Sequence, residues 1–303
     1  MRQLHFIVNP SSGGGRGGRL AADLTAVVGH TAVSILGRGD LSAIISRMNS
    51  EDAIIACGGD GTASAVAATL ATLAAQAARA DGPALGVVPL GTGNDLARTL
   101  GWASFSPHHV TALVATLRVA SYRDHDCWRL DGPGGSRVWC NYLSVGVDAQ
   151  VAQHFHHLRL RHPWLARGGL MNRGLYGLLG AQQRSLALTQ VVRVADELRL
   201  PRSASVMVLS NILSYAGGAT LARGIRMDDR QFEVVALGHG LRLGLATAGL
   251  RRPRLISRRA QMSFDLGCDL AMQTDGEAFT ALAGRYDVAH AGTIKTLVAE
   301  RLR

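Results

Sequence analysis

The chain has 303 residues, of which 47% are hydrophobic and 18% charged, and its formal net charge at pH 7 is +10. This composition excludes a wholly disordered chain and a small disulfide scaffold, and the length predicts about two domains. Lys295 is the only lysine, so arginine carries almost all of the positive charge. Guanidinium groups suit phosphate and carboxylate, and the positive balance favours a nucleotide, a nucleic acid or an acidic membrane as partner.

The cysteines and the N-terminal segment indicate a cytoplasmic protein. Cys57, Cys127, Cys140 and Cys268 form no Cys-x-x-Cys pair, which argues against a zinc site or a redox dithiol. The chain begins directly on an apolar strand pattern, without the charged and apolar regions of a signal peptide. The apolar window at residues 63–80 is rich in alanine and threonine, and we interpret it as a buried helix and not as a membrane span.

Short β-branched runs alternate with helical patterns over roughly the first 120 residues, which indicates β-α-β units and a parallel sheet. The predicted strands cover residues 4–8, 32–36, 53–57 and 84–88. The predicted helices cover residues 16–28, 40–49, 62–79, 94–100 and about 107–117.

After about residue 121 the pattern changes to strand-like runs separated by turns, which predicts a mainly antiparallel second domain. A basic and partly helical insertion covers about residues 150–183. The strand-like runs cover residues 126–130, 137–145, 185–198, 204–209, 231–237 and 260–266. We therefore expect one domain at residues 1–122, a second at 123–290, and a final segment, 291–303, that returns to the first domain.

Three glycine-rich turns follow the first, third and fourth predicted strands. We name residues 9–18, 57–62 and 89–98 the first, second and third glycine loops. Because the carboxyl ends of parallel strands share one edge of a sheet, we expect the three loops to line one ligand-binding edge. Glycine lets backbone N–H groups surround phosphate oxygens, and a following helix adds its positive N-terminal dipole. The loops predict a nucleotide-binding domain.

The first glycine loop can be compared with two other nucleotide-binding motifs. It matches the dinucleotide pattern Gly-x-Gly-x-x-Gly through Gly13, Gly15 and Gly18, so a Rossmann oxidoreductase stays an alternative. A run this rich in glycine meets that pattern easily, and the Asn9-Pro10 start is not typical of it. The phosphate-binding P-loop is excluded, since it needs a lysine followed by serine or threonine and the single lysine lies at position 295.

The second glycine loop combines Gly58, Gly59, Asp60, Gly61 and Thr62 after an apolar strand. Its glycines leave room for phosphates. Asp60 can hold Mg²⁺ or accept a proton, and Thr62 can donate to phosphate at the start of the following helix. The simpler interpretation is a strand-to-helix turn in which Asp60 or Thr62 only caps the helix.

The third glycine loop presents N–H and hydroxyl groups from residues 91–93 beside the second, although Thr92 or Asn94 could simply cap the next helix. Residues 58–62 and 89–98, taken together, resemble the catalytic domain of diacylglycerol kinases. Motifs of the second half resemble the accessory domain of the same family. They lie at residues 141–149, 155–163, 172–176, 214–218, 228–235 and 275–277.

The resemblance spans nearly the whole chain. It implies an α/β nucleotide-binding domain with a parallel, NAD-kinase-like sheet, followed by a mainly antiparallel β-sandwich-like domain that receives the lipid substrate. It also implies transfer of the γ-phosphoryl group of ATP to a hydroxyl of diacylglycerol, giving phosphatidate and ADP. Such a transfer needs positioned phosphates, a metal ion that neutralises charge and a carboxylate near the attacking hydroxyl.

Roles for individual residues follow from the resemblance. Asp60 would act through Mg²⁺, and Asp275 or Glu277 would be the general base, although related lipid kinases assign the base to the equivalent of Asp60. The Asp-Gly pair at 275–276 is by itself a hairpin-turn signal. Asp229 would belong to a second Mg²⁺ site, where Arg230 replaces a common glycine and a solvated turn is the alternative. The residues implied in ATP binding are Asn9, Pro10, Ser11, Gly58, Gly59, Asp60, Gly61, Thr62, Gly91, Thr92, Asn94 and Arg173.

Two basic clusters favour contact with anionic lipid headgroups, with a solvated charged face as the alternative. One lies at residues 154–167, and the other is formed by Arg251, Arg252, Arg254, Arg258 and Arg259. We expect a protein bound peripherally at the inner face of the membrane, compatible with a homodimer and without a nucleic-acid partner. The alternatives are a kinase for a sphingoid base or ceramide, an NAD kinase, and a non-catalytic lipid- or nucleotide-binding protein.

Overall fold

The computed structural model describes residues 2–77, 82–103, 109–161, 187–195, 198–238 and 253–299. The chain divides into two compact units. The first unit is Met1–His125 together with Gly292–Arg303, and the second is Asp126–Ala291. Both divisions fall inside long strands, β5 (Ser121–Gly132) and β17 (Gly284–Val298), and the change of sequence pattern near residue 122 lies inside the first of these.

The first unit is an α/β unit built on a parallel sheet. Its strands are β1 (Leu4–Val8), β2 (Val33–Ile35), β3 (Ala53–Gly58) and β4 (Ala84–Pro89). Its helices are α1 (Arg16–Val28), α2 (Leu41–Ser46), α3 (Asp60–Ala77), α4 (Asp95–Thr99) and α5 (Val110–Val119). The strand order is β2-β1-β3-β4, and the C-terminal part of β17 lies parallel to β4, with Thr296 opposite Leu85. The predicted fold class of this half is confirmed.

Burial explains why these segments adopt these elements. All six residues of β3 are buried, and the strand pairs with β1 on one side and β4 on the other. Such a strand needs apolar residues on both faces, which matches its continuous Ala-Ile-Ile-Ala-Cys run. In α1 the buried residues Leu20, Ala21 and Leu24 follow the helical period instead. The indole N–H of Trp102 donates to the carbonyl oxygen of Leu297 at 2.7 Å and fastens the C-terminal strand to this unit.

The second unit is almost entirely antiparallel. After the β5 segment it contains β6 (Gly135–Trp139), β7 (Tyr142–Gly146), α6 (Val147–Arg161), β8 (Val192–Val194), β9 (Val206–Ser210), β10 (Ser214–Tyr215), β11 (Ala219–Thr220), β12 (Phe232–Leu237), β13 (Arg254–Arg259), β14 (Met262–Leu266), β15 (Leu270–Thr274) and β16 (Glu277–Ala281). One sheet has the order β13-β12-β9-β7-β15-β16. Antiparallel pairs β5-β6, β8-β14 and β14-β17 supply the second layer, and β10-β11 form a short ribbon.

A core between these two layers makes the unit a β-sandwich, as predicted. It contains Trp128 and Trp139 from one layer and Phe232 from the other, all fully buried. The Trp128 and Phe232 rings meet edge to face with centroids 4.8 Å apart, a favoured aromatic geometry. Phe264 and Tyr286 of β14 and β17 extend the same core and stack at 5.5 Å.

Several predicted elements differ in extent from the observed ones. The run 137–145 is divided by a turn at Cys140 and Asn141 into β6 and β7, because the residues of that turn form hydrogen bonds elsewhere. Within the described part of the run 185–198, residues 187–195 and 198, the strand is limited to the three residues of β8 and follows a 3-10 turn at Leu188–Gln190. Strands β13, β15, β16 and β17 were not predicted. The turn also brings Cys127 and Cys140 side by side, with their sulfur atoms 2.9 Å apart, a proximity that their spacing in sequence does not indicate.

Candidate functional site

The three glycine loops lie together at the carboxyl ends of β1, β3 and β4. The N–H of Asn9 donates to the carbonyl oxygen of Cys57 at 3.0 Å and joins the first loop to the second. The N–H groups of Leu90 and Gly91 donate to the carbonyl oxygen of Gly58 at 2.8 and 3.3 Å and join the second loop to the third. The parallel sheet therefore assembles one backbone surface from three distant segments.

Asn9 organises the first glycine loop. Its Oδ1 accepts a hydrogen bond from the N–H of Ser11 at 3.1 Å, and its Nδ2 donates to Oγ1 of the buried Thr62 at 3.4 Å. Pro10 lies between them at the start of the turn. The glycines at 13–15 have φ of 64, 68 and 93°, a left-handed conformation that glycine adopts without strain. The loop thus turns sharply into α1.

Close packing between the second and third loops requires glycine at two further positions. A Cβ on Gly59 would lie 3.3 Å from the Cα of Gly91, and a Cβ on Gly93 would lie 2.6 Å from Oδ2 of Asp60. A side chain at Gly93 would displace the carboxylate of Asp60, and one at Gly59 would crowd the backbone of Gly91. The glycines therefore hold the carboxylate of Asp60 close to the third loop.

Asp60 lies in the first turn of α3, which begins two residues before the predicted start at 62. Its Oδ1 accepts hydrogen bonds from the N–H groups of Asp95 at 2.6 Å and Leu96 at 3.4 Å, so the carboxylate caps α4. Burial raises the pKa of Asp60 to about 7, the negative charge of Asp95 adds to the increase, and the N–H groups of α4 oppose it. A bound cation would offset both causes of the increase.

Asp95 is a site residue that the sequence analysis did not identify. It is buried in the first turn of α4, close enough to Asp60 to raise its pKa. The preceding Asn94 has φ 54°, and its Nδ2 donates to the carbonyl oxygen of Gly91 at 2.8 Å. This hydrogen bond closes the third loop around the partly buried Thr92. The available signal was an acid that follows glycine within the loop itself, as at Asp60.

In the second unit, Asp275 and Gly276 form the two-residue turn of the β15-β16 hairpin. Their φ values are 52° and 89°, and Thr274 is paired with Glu277 across the turn. Positive φ at both central residues is typical of a type I′ turn, for which Asp-Gly is a preferred sequence. The hairpin signal read from this pair is confirmed.

The two carboxylates of this turn have different surroundings. Asp275 is buried, and its carboxylate accepts the N–H groups of Cys140, Asn141 and Tyr142 at 3.0, 2.8 and 3.0 Å. Glu277 is exposed, and its side chain forms no hydrogen bond to the residues that the structure describes. Asp275 therefore holds the β6-β7 turn in place, whereas Glu277 does not.

Asn211 and Asp126 support the same β6-β7 turn, and neither was identified from the sequence. The Nδ2 of Asn211 donates to the carbonyl oxygens of Asp126 and Cys140 at 2.7 and 2.8 Å. The backbone N–H of Asn211 donates to the carbonyl oxygen of Asn141 at 2.9 Å. Oδ2 of Asp126 accepts the N–H of Arg230 at 2.7 Å. These contacts join segments far apart in sequence, so no local pattern could predict them.

The segment Asp228-Asp229-Arg230 is a turn bordered by cations. Oδ1 of Asp229 accepts the N–H of Gln231 at 3.1 Å, and Asp228 forms an ion pair with Arg226 at 3.1 Å. Across the described ranges, no three His, Cys, Asp or Glu residues are grouped so that they could hold a metal ion. The second Mg²⁺ site at Asp229 stays a prediction.

Arg230 has φ 55°, a left-handed conformation that is unfavourable for a residue with a Cβ. We expect Arg230→Gly to raise the free energy of unfolding by about 1 kcal/mol, since glycine relieves this strain and keeps the N–H that bonds to Asp126. Urea unfolding measures the change. Arg230→Ala, which removes the same side chain but keeps the Cβ, is the matched control and should bring no gain. A glycine variant no more stable than the alanine variant would contradict the prediction.

Glu233 on β12 predicts a pH dependence of stability. It is almost fully buried and paired with Arg258 at 3.0 Å, yet burial raises its pKa from 4.5 to about 7, and the negative charge of Asp229 adds to the increase. Between these pH values the folded state keeps a proton that the unfolded chain has released. The free energy of unfolding therefore falls as pH rises through this window.

We expect Glu233→Gln to remove this contribution. Between pH 5 and pH 8 the wild type should lose about 2 kcal/mol more of its unfolding free energy than the variant does. Urea unfolding at both pH values gives the difference, in which contributions of the other titrating groups cancel. Equal losses in the two proteins would show that Glu233 titrates normally.

Most of the remaining predicted site residues are basic residues that lie outside the described part of the chain. Arg173 lies outside the described residues, as do His162, Arg167, Arg251 and Arg252, and nothing is described of the side chains at 155–161. Of the second basic cluster, Arg254 and Arg258 are exposed on β13. The structure thus brings together Asn9, Ser11, Gly58, Gly59, Asp60, Thr62, Gly91 and Asn94 in the first unit, while Asp229, Asp275 and Glu277 lie in the second.

Two proteins of similar sequence are named as diacylglycerol kinases. A kinase described as eye-specific diacylglycerol kinase from Drosophila melanogaster is 30% identical over 89% of this chain and 21% of its own length. Diacylglycerol kinase theta from Homo sapiens is 28% identical over 95% of this chain and 34% of its own length. The chain therefore spans about a fifth to a third of these relatives.

A crystal structure of a diacylglycerol kinase from Bacillus anthracis matches 98% of this chain and 97% of its own, with a TM-score of 0.62 and 15% identity, which shows the shared fold. Sequence models of two domain families match the chain. The diacylglycerol kinase catalytic domain matches residues 3–123, which include all three glycine loops. The diacylglycerol kinase accessory domain matches residues 138–278, which include the Asp275 turn. The chain belongs to the diacylglycerol kinase family.

Proposed function

We propose that the protein is an ATP-dependent lipid kinase that transfers the γ-phosphoryl group of ATP to the hydroxyl of diacylglycerol, giving phosphatidate and ADP. The observation that carries the proposal is the joined backbone surface of the three glycine loops, with the carboxylate of Asp60 held against it. The membership of the diacylglycerol kinase family supports the choice of lipid. Phosphoryl transfer depends on positioned phosphates and neutralised charge, which such a surface can supply.

ATP is assigned to the three loops of the first unit. They meet at the carboxyl ends of parallel strands, which is the edge where α/β sheets bind nucleotides. Residues 9–11, 58–62 and 91–94 would hold the phosphates through backbone N–H groups and through hydroxyls such as those of Ser11 and Thr92. The α3 helix, 18 residues long, would add its N-terminal dipole. Arg173 stays a predicted phosphate contact.

Mg²⁺ fits the carboxylates beside these loops. It prefers oxygen ligands and is commonly bound by one or two carboxylates together with substrate phosphates and water. Asp60 and Asp95 are neighbouring carboxylates. Burial and then the negative charge of Asp95 raise the pKa of Asp60, and a bound cation would offset this increase. We therefore assign Mg²⁺ to Asp60, with Asp95 beside it. When bound, the ion would neutralise charge on the phosphates during transfer.

The general base is assigned to the turn at Asp275 and Glu277. The three N–H groups that Asp275 accepts fix the orientation of its carboxylate, and a carboxylate held in this way is suited to accept the proton of an attacking hydroxyl. Glu277 carries the other carboxylate of the turn and is exposed. Comparing Asp275→Asn with Glu277→Gln in the kinase assay, each shown to be folded by thermal unfolding, assigns the base to the residue whose variant loses turnover.

Peripheral contact with the membrane is part of the proposal. Among the residues that the structure describes, no helix is long and apolar enough to cross a bilayer. The edge strand β13 carries the exposed Arg254 beside the exposed Leu255, whereas the guanidinium of Arg258 on the same strand is already paired with Glu233. Each arginine near an anionic surface adds about 1 kcal/mol of attraction. We place the protein at the inner, cytoplasmic face of the membrane, where such lipids are presented.

The decisive experiment combines purified protein, labelled ATP and Mg²⁺ with mixed micelles of one candidate lipid at a time, and identifies the product by mass. Phosphatidate from diacylglycerol is expected. Formation of a phosphorylated sphingoid base or ceramide would identify a different lipid as the substrate. Phosphorylation of NAD without detergent would show that the substrate is a nucleotide and not a lipid. No product with any acceptor would refute the kinase. Light scattering on the same preparation tests the expected homodimer.

A further inference from the structure

Arg16 occupies a place between two of the loops assigned to ATP. Its Nε donates to the carbonyl oxygen of Gly13 at 3.1 Å, and its Nη2 donates to the carbonyl oxygen of Leu90 at 3.3 Å. The first bond stays within the first glycine loop, and the second reaches the start of the third. A Cβ on Gly13 would lie 2.8 Å from both Nε of Arg16 and the oxygen of Leu90. The three residues therefore pack closely enough to hold the guanidinium in one orientation.

The charge of Arg16 has no acidic partner in the part of the chain that the structure describes. Its guanidinium forms two bonds to neutral carbonyl groups and no ion pair, and the residue is exposed. A guanidinium has five N–H donors, and two bonds leave its Nη1 group available to an anion. The carboxylate of Asp60 instead accepts N–H groups at the start of α4, and Asp95 is buried in the first turn of that helix.

A triphosphate brings several negative charges to these loops, and glycine N–H groups carry only partial positive charge. Phosphate-binding loops of other folds add a lysine for this purpose, but the only lysine of this chain is Lys295 on β17. We infer that Arg16 binds the phosphate groups of the nucleotide through its Nη1 group, with its two carbonyl bonds fixing the orientation. This inference rests on the proposed function and adds to it a phosphate-binding residue that the sequence motifs did not indicate.

Nucleotide binding in the absence of lipid tests the inference. ATP binding is measured by isothermal titration, and adenosine binding by competition against a fluorescent ATP analogue. Arg16→Gln should weaken ATP binding by about 10- to 100-fold, as expected for a charge-assisted hydrogen bond, and should leave adenosine binding within about twofold. Arg16→Lys should give an intermediate loss, since it keeps the charge but not the planar fork.

Arg19 provides the matched control. It is an exposed arginine on the same helix, and the described residues give it no hydrogen bond or ion pair. Arg19→Gln removes the same charge and should change ATP affinity by less than about twofold. If Arg16→Gln behaves like Arg19→Gln, or weakens ATP and adenosine equally, Arg16 has no role at the phosphates and the inference is wrong. Wild-type protein that binds no ATP would instead refute the proposed function itself, and the inference with it.

Discussion

Asp60→Asn is expected to lower phosphoryl transfer by about 1,000-fold while the protein stays folded, since the loss of one preorganised electrostatic group at a transfer site costs this much. The asparagine carbonyl can still accept the N–H groups of Asp95 and Leu96, so the cap of α4 is kept. The negative charge that would hold Mg²⁺ is removed, and with it the repulsion between Asp60 and Asp95. The free energy of unfolding at pH 8 should therefore be unchanged or slightly higher.

The lipid assay with labelled ATP measures the turnover, and thermal unfolding measures the stability. Asp40→Asn is the matched control, since Asp40 also caps a helix, accepting the N–H of Ser42 at 2.9 Å at the start of α2. This variant should keep near-normal activity. Near-normal turnover of Asp60→Asn as well would remove Asp60 from the mechanism and leave it only a structural cap.

Asp275→Ala is expected to lower the free energy of unfolding by about 3–5 kcal/mol. The substitution leaves three buried backbone N–H groups without their acceptor, and each such group costs about 1–3 kcal/mol, partly offset because a buried carboxylate is removed. Urea unfolding monitored by fluorescence measures the loss, because the buried Trp128 and Trp139 lie in the core of the same unit.

Glu277→Ala is the control for this change. It removes a carboxylate from the same turn, but an exposed one, and should change stability by less than about 0.5 kcal/mol. A loss of similar size in both variants would mean that the stability depends on the turn as a whole and not on the carboxylate of Asp275. A loss below about 1 kcal/mol for Asp275→Ala would mean that water replaces the carboxylate, and that Asp275 does not anchor the β6-β7 turn.

The elements of the first unit could be predicted with close agreement because each has a local signal. The observed bounds of β1 and α1 coincide with the predicted ones, since alternation between a buried strand and an amphipathic helix is encoded by neighbouring residues. The shorter α2, which ends at Ser46 and not at 49, shows where such signals weaken at helix ends. In the second unit the sequence of β13 has little apolar alternation, so its arginines predict a basic surface and not a strand.

The α/β and β-sandwich classes and the three glycine loops could be predicted from the sequence, because strand periodicity and glycine turns depend only on adjacent residues. The family followed from the resemblance of residues 58–62 and 89–98 to the catalytic domain of diacylglycerol kinases. Tertiary structure alone decided which groups stand together. Asp60 and Asp95 are 35 positions apart, and Asp275 accepts N–H groups more than 130 positions away, so their contacts exist only once the sheets have formed. Burial and a neighbouring charge then raise the pKa of Asp60, and neither can be read from the order of residues along the chain.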